Sequence, residues 1–137
     1  MKKIHARRLL KLADFLAGLP KERFFYGSWV GADWKGKPDL SCGTTACALG
    51  WAAAMPAFRR LGLTLKGRRR IDGWKFPALA DDRGEPDGQT LRAAEKVFGL
   101  DLTGFQRLFV PSFDDRHMPA RQVATRIRKF VRGRSSR

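Results

Sequence analysis

The chain has two cysteines, and both lie in the segment Cys42-Gly43-Thr44-Thr45-Ala46-Cys47. A threonine such as Thr44 can cap the start of a helix, which would place Cys47 in the first helical turn. Free backbone N–H groups and the helix dipole stabilise a thiolate there, so Cys47 is a candidate nucleophile. The alternative is that Cys47 is a small buried side chain at a point of close helix packing.

A cysteine nucleophile also needs a general base, and the chain has two histidines. His117 follows an acidic pair, so Cys47, His117 and Asp115 would form the catalytic set of a cysteine enzyme. The cysteine segment has a faint likeness to the Cys-Gly-Ser-Cys-Trp signature of papain-type proteases, but its gap is longer and no Gln lies upstream. The sequence favours a protein that is not an enzyme, and we assign no catalytic residue.

A zinc site is a second reading of the same side chains. Cys42, Cys47 and His117 together with one carboxylate would supply the four ligands that zinc prefers. The spacing of the two cysteines is wider than in a usual zinc knuckle, and the chain has no second cysteine pair. We therefore predict neither a metal site nor a cofactor.

The charge balance points to an anionic partner. Lys and Arg number 28 against 13 Asp and Glu, which gives a net charge of +15. Self-repulsion on this scale destabilises a compact chain unless a partner neutralises it. Nucleic acid is the commonest such partner, and an acidic protein surface is the second. A membrane is not predicted, because the chain has no long apolar run and no signal-peptide pattern. We expect a cytoplasmic protein with reduced thiols.

The basic residues fall into three clusters: the N-terminal segment, a predicted hairpin and the last helix. A hairpin can project its arginines along phosphates, and the last helix has a one-sided basic face. The alternative is a solvated charged surface with no partner. The predicted phosphate contacts, which imply no base-specific readout, are made by Arg68, Arg69, Arg70, Arg121, Arg128, Lys129 and Arg132.

Hydrophobic periodicity and helix-stop signals predict the elements that would position these residues. A short hairpin is predicted over 63–73, with its turn near Gly67, and a surface loop over 75–89. The fold class is α+β, a mainly helical single domain over 1–132 with about five helices and a small β-hairpin, followed by a flexible basic tail over 133–137. The predicted helices cover 3–17, about 44–54, 90–98, 102–109 and 119–132.

Two of these helices have a clear apolar face. In the first helix this face consists of Leu9, Leu12, Ala13 and Leu16, at the three- and four-residue spacing of one helix side. In the last helix, the residues predicted to be buried are Val123, Ala124, Ile127, Phe130 and Val131.

The segment 42–52, Cys-Gly-Thr-Thr-Ala-Cys-Ala-Leu-Gly-Trp-Ala, resembles a group of small uncharacterised proteins encoded by bacteriophages and bacteria. Those proteins share the motif Cys-Gly-Thr-x-Ala-Cys-x-x-Gly-Trp and are similar in their order of elements over roughly 9–131. The resemblance implies no particular activity. It does imply a phage or prophage setting, and so a location in the cytoplasm of a bacterial host.

The sequence as a whole predicts a small basic accessory protein that binds nucleic acid through phosphate contacts. One alternative is an inhibitor that binds an acidic surface of a host protein, such as a defence complex, in the manner of an anti-CRISPR protein. The second alternative is a cysteine-dependent enzyme that uses Cys47 with His117.

Overall fold

The computed structural model of the chain describes residues 1–19, 24, 48–67, 75–81, 86–110 and 118–135. Within these ranges the chain forms six helices and a two-stranded antiparallel sheet, which confirms a mainly helical α+β single domain. The elements in chain order are α1 (Lys3–Ala17), α2 (Ala48–Ala52), α3 (Pro56–Arg59), β1 (Leu63–Gly67), β2 (Lys75–Leu79), α4 (Pro86–Phe98), α5 (Leu102–Phe109) and α6 (Ala120–Ser135).

The first and last helices, α1 and α6, pack against each other more extensively than any other two helices described. Both predicted apolar faces are confirmed. The buried residues of α1 are Leu9, Leu12, Ala13 and Leu16, and those of α6 include Val123, Ala124, Ile127, Phe130 and Val131. Because each helix buries one face, most of the charged residues of both helices lie on the sides away from the core, and Arg8, which packs against α4, is an exception.

Aromatic rings from three helices form the centre of the core. Phe58 of α3 contacts Phe98 of α4 edge to face, with ring centroids 5.2 Å apart. Phe98 also packs against Phe109 of α5, at a centroid distance of 5.7 Å. All three rings are almost fully excluded from solvent, so they fix the ends of three helices relative to one another.

The second helix, α2, is separated from α3 by a break in front of a proline. Met55 has an extended backbone, with φ −78° and ψ 128°, as expected for a residue before proline. Pro56 then begins α3, and Gly62, at φ +98°, closes the turn. Every residue of α2 is buried, which agrees with a core position for this helix.

The prediction of a surface loop over 75–89 is wrong at both of its ends. β2 pairs with β1 in a register that places Leu79 opposite Leu63 and Lys75 opposite Gly67, and residues 77–79 are buried. The hairpin predicted over 63–73 is therefore wrong in its turn, because Gly67 belongs to β1 and the second strand is Lys75–Leu79. Pro77 did not prevent a strand because a two-stranded sheet has only edge strands, where a missing N–H is tolerated. Its carbonyl accepts a hydrogen bond of 2.8 Å from the Thr90 hydroxyl of α4. The helix also begins earlier than predicted, since Pro86 suits a first helical turn.

The N-terminal half of α1 contacts the C-terminal end of α4. Gly99 stops α4 at φ +65°, and its N–H donates to the Glu95 carbonyl at 2.8 Å, an αL cap. The His5 imidazole lies so close to Gly99 that a Cβ atom there would overlap the ring. Arg8 donates from Nη1 to the Val97 carbonyl at 3.0 Å.

This packing changes the titration of the histidine. Partial burial lowers the pKa of His5 from 6.5, and the positive charges of Arg8, Lys2 and the N-terminal ammonium lower it further. The folded state therefore favours the neutral imidazole of His5 at the contact between α1 and α4.

Candidate nucleic-acid interface

The last helix, α6, carries six basic residues and no acidic one. We define the α6 stripe as Arg121, Lys129 and Arg132, which are all exposed and lie on the helix side opposite the buried face. From its first to its last residue the stripe runs about 17 Å, at 1.5 Å per residue. The one-sided basic face predicted for the last helix is thus present. The helix continues to Ser135, beyond the predicted end near Arg132, so residues 133–135 are helical.

The fourth cation predicted on this helix, Arg128, lies at the edge that faces α1. Its Nη2 atom donates to Oδ1 of Asp14 at 2.8 Å, and both side chains remain partly exposed. A solvent-exposed ion pair of this kind contributes little to stability, about 0–1 kcal/mol. Its consequence is electrostatic: Asp14 neutralises one cation at the border of the α6 stripe.

The N-terminal basic cluster adjoins the same border. Lys3, Arg7 and Lys11 of α1 are exposed, at a four-residue spacing that places them along one side of the helix. Asp14 belongs to the same outward side, and its bond to Arg128 joins the outward faces of α1 and α6. Two of the three predicted basic clusters therefore lie on neighbouring helices.

On the other edge of α6 lies a groove that the sequence analysis did not anticipate. This α5/α6 groove has a volume of about 640 Å³. The described residues that line it include three cations and no acid. They are Gln106, Arg107, Leu108, Val110, Met118, Gln122, Thr125, Arg126, Lys129 and Phe130.

Within the groove, the guanidinium carbon of Arg107 lies 5.8 Å from the centre of the Phe130 ring. This distance is within the range of a cation–π interaction. A helical projection places Arg126 beside Phe130, at the edge of the buried face of α6. The periodicity of α6 does not show, however, that α5 packs next to this edge. Arg107 and Arg126 were missed for this reason.

The remaining predicted site residues lie outside the residues that the structure describes. They are Arg68, Arg69 and Arg70 of the hairpin, and Cys42, Cys47, Asp115 and His117 of the possible thiol and metal sites. Their roles stay predictions. Within the described ranges, no three His, Cys, Asp or Glu side chains come together as a metal-binding group.

None of the helices described has both the length and the apolar character needed to cross a bilayer. Comparison of this chain with protein-family models, with curated proteins and with solved structures gives no match. The resemblance of the segment 42–52 to small phage and bacterial proteins therefore stays a prediction.

Proposed function

We propose that this protein binds nucleic acid through phosphate contacts made by the outward face of α6. The observation that carries the proposal is the α6 stripe: three exposed cations on one side of a helix that contains no acidic residue. Cations arranged in this way neutralise phosphates and release their counterions, which is the main source of affinity in sequence-independent binding.

The packing of α6 supports this role because it holds the stripe in place. The helix buries a continuous apolar face against α1 and also contacts α5, so Arg121 and Arg132 project from a rigid support. A stripe of about 17 Å is long enough for its three cations to contact separate phosphates of one strand. The exposed cations of α1 extend the positive surface beyond α6.

The decisive experiment measures the salt dependence of oligonucleotide binding by fluorescence anisotropy. Replacing Arg121 and Arg132 by Gln should weaken binding and reduce the slope of log K against log salt by about 2, since each phosphate contact accounts for about one unit. The matched control is Arg59→Gln with Arg60→Gln. Arg59 ends α3 and Arg60 follows it, and both are exposed. The control makes the same change in net charge at a site away from α6.

Two results would refute an interface on α6. In one, both double variants reduce the slope equally, which would mean that only net charge matters. In the other, neither variant changes the slope.

The ion pair between Asp14 and Arg128 allows a second test, in which a substitution should strengthen binding instead of weakening it. Asp14→Asn removes the carboxylate that holds Arg128, so this variant should bind nucleic acid more tightly, with a slope larger by about 1. Its thermal stability should change little, because the pair is exposed. Asp81→Asn is the control: it removes the same charge from another exposed position and should leave the slope unchanged.

An acidic surface of a host protein is the alternative partner for the same cations. It would be favoured if the wild-type protein fails to bind any oligonucleotide at low salt but co-purifies with one protein after nuclease treatment. The proposed setting is the cytoplasm of a bacterial host, and it is supported by the resemblance of the segment 42–52 alone.

A further inference from the structure

The α5/α6 groove adjoins the α6 stripe and differs from it in chemistry. Lys129 belongs to both, because it is a stripe residue and also lines the groove. The volume of about 640 Å³ lies within the range of about 300–1,000 Å³ that is typical of small-ligand sites. A ligand whose phosphates lie on the stripe can therefore place an attached group in the groove.

One wall of the groove contains the planar guanidinium group of Arg107, which packs on the ring of Phe130. Phe130 is largely buried, with 8% of its surface exposed, so its ring is held by the core. The exposed Arg107 side chain extends over that ring. A guanidinium group is planar and stacks on aromatic rings and on nucleic-acid bases. Arg107 thus lies over Phe130 and yet remains exposed, so a flat group can contact it.

The polar residues of the groove complement this wall. Gln106 and Gln122 are exposed and carry amide groups, which both donate and accept hydrogen bonds. Thr125 is also exposed; its hydroxyl donates to the Arg121 carbonyl at 3.1 Å, which leaves the oxygen as an acceptor. The edges of every base offer the same mixture of donors and acceptors. The side chains of Val110, which is 45% exposed, and of the partly exposed Met118 add apolar surface, which suits the faces of a base but does not bind a phosphate.

We infer that the α5/α6 groove holds one unpaired base of a single-stranded nucleic acid whose adjoining phosphates contact Lys129 and the α6 stripe. The inference rests on the proposed function and adds to it the class of nucleic acid: a single strand, not a continuous duplex. In a duplex, each base is stacked and paired, so it cannot enter a groove between two helices without being flipped out. Stacking is tolerant of base identity, which agrees with the absence of predicted base-specific readout.

The test compares three labelled probes at one salt concentration: a thymidine dodecamer, an abasic dodecamer with the same phosphates, and a hairpin duplex. The wild-type protein should bind the thymidine strand about tenfold more tightly than the abasic strand, as expected for one stacked base. It should also prefer the thymidine strand to the duplex.

The diagnostic variant is Arg107→Lys, which retains the charge but removes the planar group. We expect the preference for the thymidine strand over the abasic strand to fall to less than about threefold, while the salt slope stays as in the wild type. Arg59→Lys makes the same exchange on α3 and should leave the preference intact. Because Arg107 and Arg59 are exposed, neither exchange should affect folding.

Equal binding of the thymidine and abasic strands by the wild-type protein would overturn the inference. So would a full base preference in Arg107→Lys, or tighter binding of the duplex. If polyglutamate competes as well as the thymidine strand at equal charge, the groove recognises acidic chains and not bases. In all of these cases salt-dependent phosphate binding can persist, so the proposed function would stand. Only a failure to bind any of the three probes would refute both.

Discussion

Arg8 on α1 and Arg121 on α6 are both arginines of amphipathic helices, but their surroundings differ. Arg8 is partly buried and donates a hydrogen bond to the Val97 carbonyl at the end of α4. Arg121 is exposed on α6 and lies on the side away from the core. The first cation satisfies a backbone acceptor that a helix end leaves unpaired, while the second is a residue of the proposed interface.

The same contrast separates the two regions to which these residues belong. At the contact between α1 and α4, His5 and Arg8 pack against the end of a helix, and the pKa of His5 is lowered. On α6 the stripe residues extend outward from a buried apolar face. The comparison teaches that net charge alone overestimates the number of cations available to a partner. Some of them, such as Arg8, instead bind the carbonyl groups at a helix end. Substitutions in the first region should change stability, and those in the second should change binding.

The largest expected effect on stability is that of Gly99→Ala. Alanine at φ +65° costs about 1–2 kcal/mol, and its Cβ would also displace the His5 ring, so we expect a total loss of about 2–4 kcal/mol in the free energy of unfolding. Gly62→Ala is the matched control, since Gly62 also has a positive φ but has no atom within 4 Å of the added Cβ. It should cost only the backbone strain.

Chemical denaturation of the two glycine variants measures this difference. Adding His5→Ala to Gly99→Ala should recover part of the loss, because the overlapping ring is then absent. Equal destabilisation by Gly99→Ala and Gly62→Ala would mean that the His5 contact contributes nothing to the docking of α1.

A smaller effect is expected from Arg8→Met, which retains the aliphatic stem but removes the hydrogen bond to Val97. A charged donor on a helix-end carbonyl contributes about 1–2 kcal/mol, so unfolding should become easier by about that amount. Arg7→Met makes the same charge change at the neighbouring exposed position and should stay within about 0.5 kcal/mol of the wild type. A stability loss in Arg7→Met as large as in Arg8→Met would contradict a specific role for the Arg8 hydrogen bond.

The smallest effect is the pH dependence that His5 introduces. Its pKa in the folded state is below the ordinary value of 6.5, so near pH 6 the unfolded chain binds more protons than the folded one. The stabilising contribution is therefore complete above about pH 6.5 and is lost as the pH falls below that value. We expect the thermal midpoint to decrease as the pH falls from about 7.5 to about 5.5, and His5→Gln to reduce this decrease.

Because His117 is present in both proteins, its titration cancels in the comparison. An identical pH profile for both proteins would show that His5 is not the titrating group.

Much of the helical framework was predictable from local signals. The apolar periodicity of α1 and α6 identified their buried faces, and the predicted ranges 3–17 and 102–109 agree with α1 and α5. The strand over 75–79 was not predictable in this way. Its proline suggested a loop, and only the pairing of β2 with β1 and its packing on α4 made a strand favourable there.

In the candidate interface, too, some features were predictable from the sequence and others were not. The basic face of α6 follows from the sequence, because a period of 3.6 residues sorts apolar and charged side chains to opposite sides of one helix. The pairing of Arg128 with Asp14 does not follow from it, since the two residues are 114 positions apart. The position of Arg107 over Phe130 likewise requires that α5 and α6 be neighbours.

What the sequence by itself determined is therefore the positions of α1, α5 and α6, the buried faces of α1 and α6, and the excess of positive charge. These are properties of composition and of short-range spacing, which each helix expresses without reference to its neighbours. The tertiary structure alone decided which cations bind other groups of the same chain, as Arg8 and Arg128 do. It also decided where a groove forms between α5 and α6. Such features depend on contacts between distant parts of the chain, and local periodicity carries no information about those contacts.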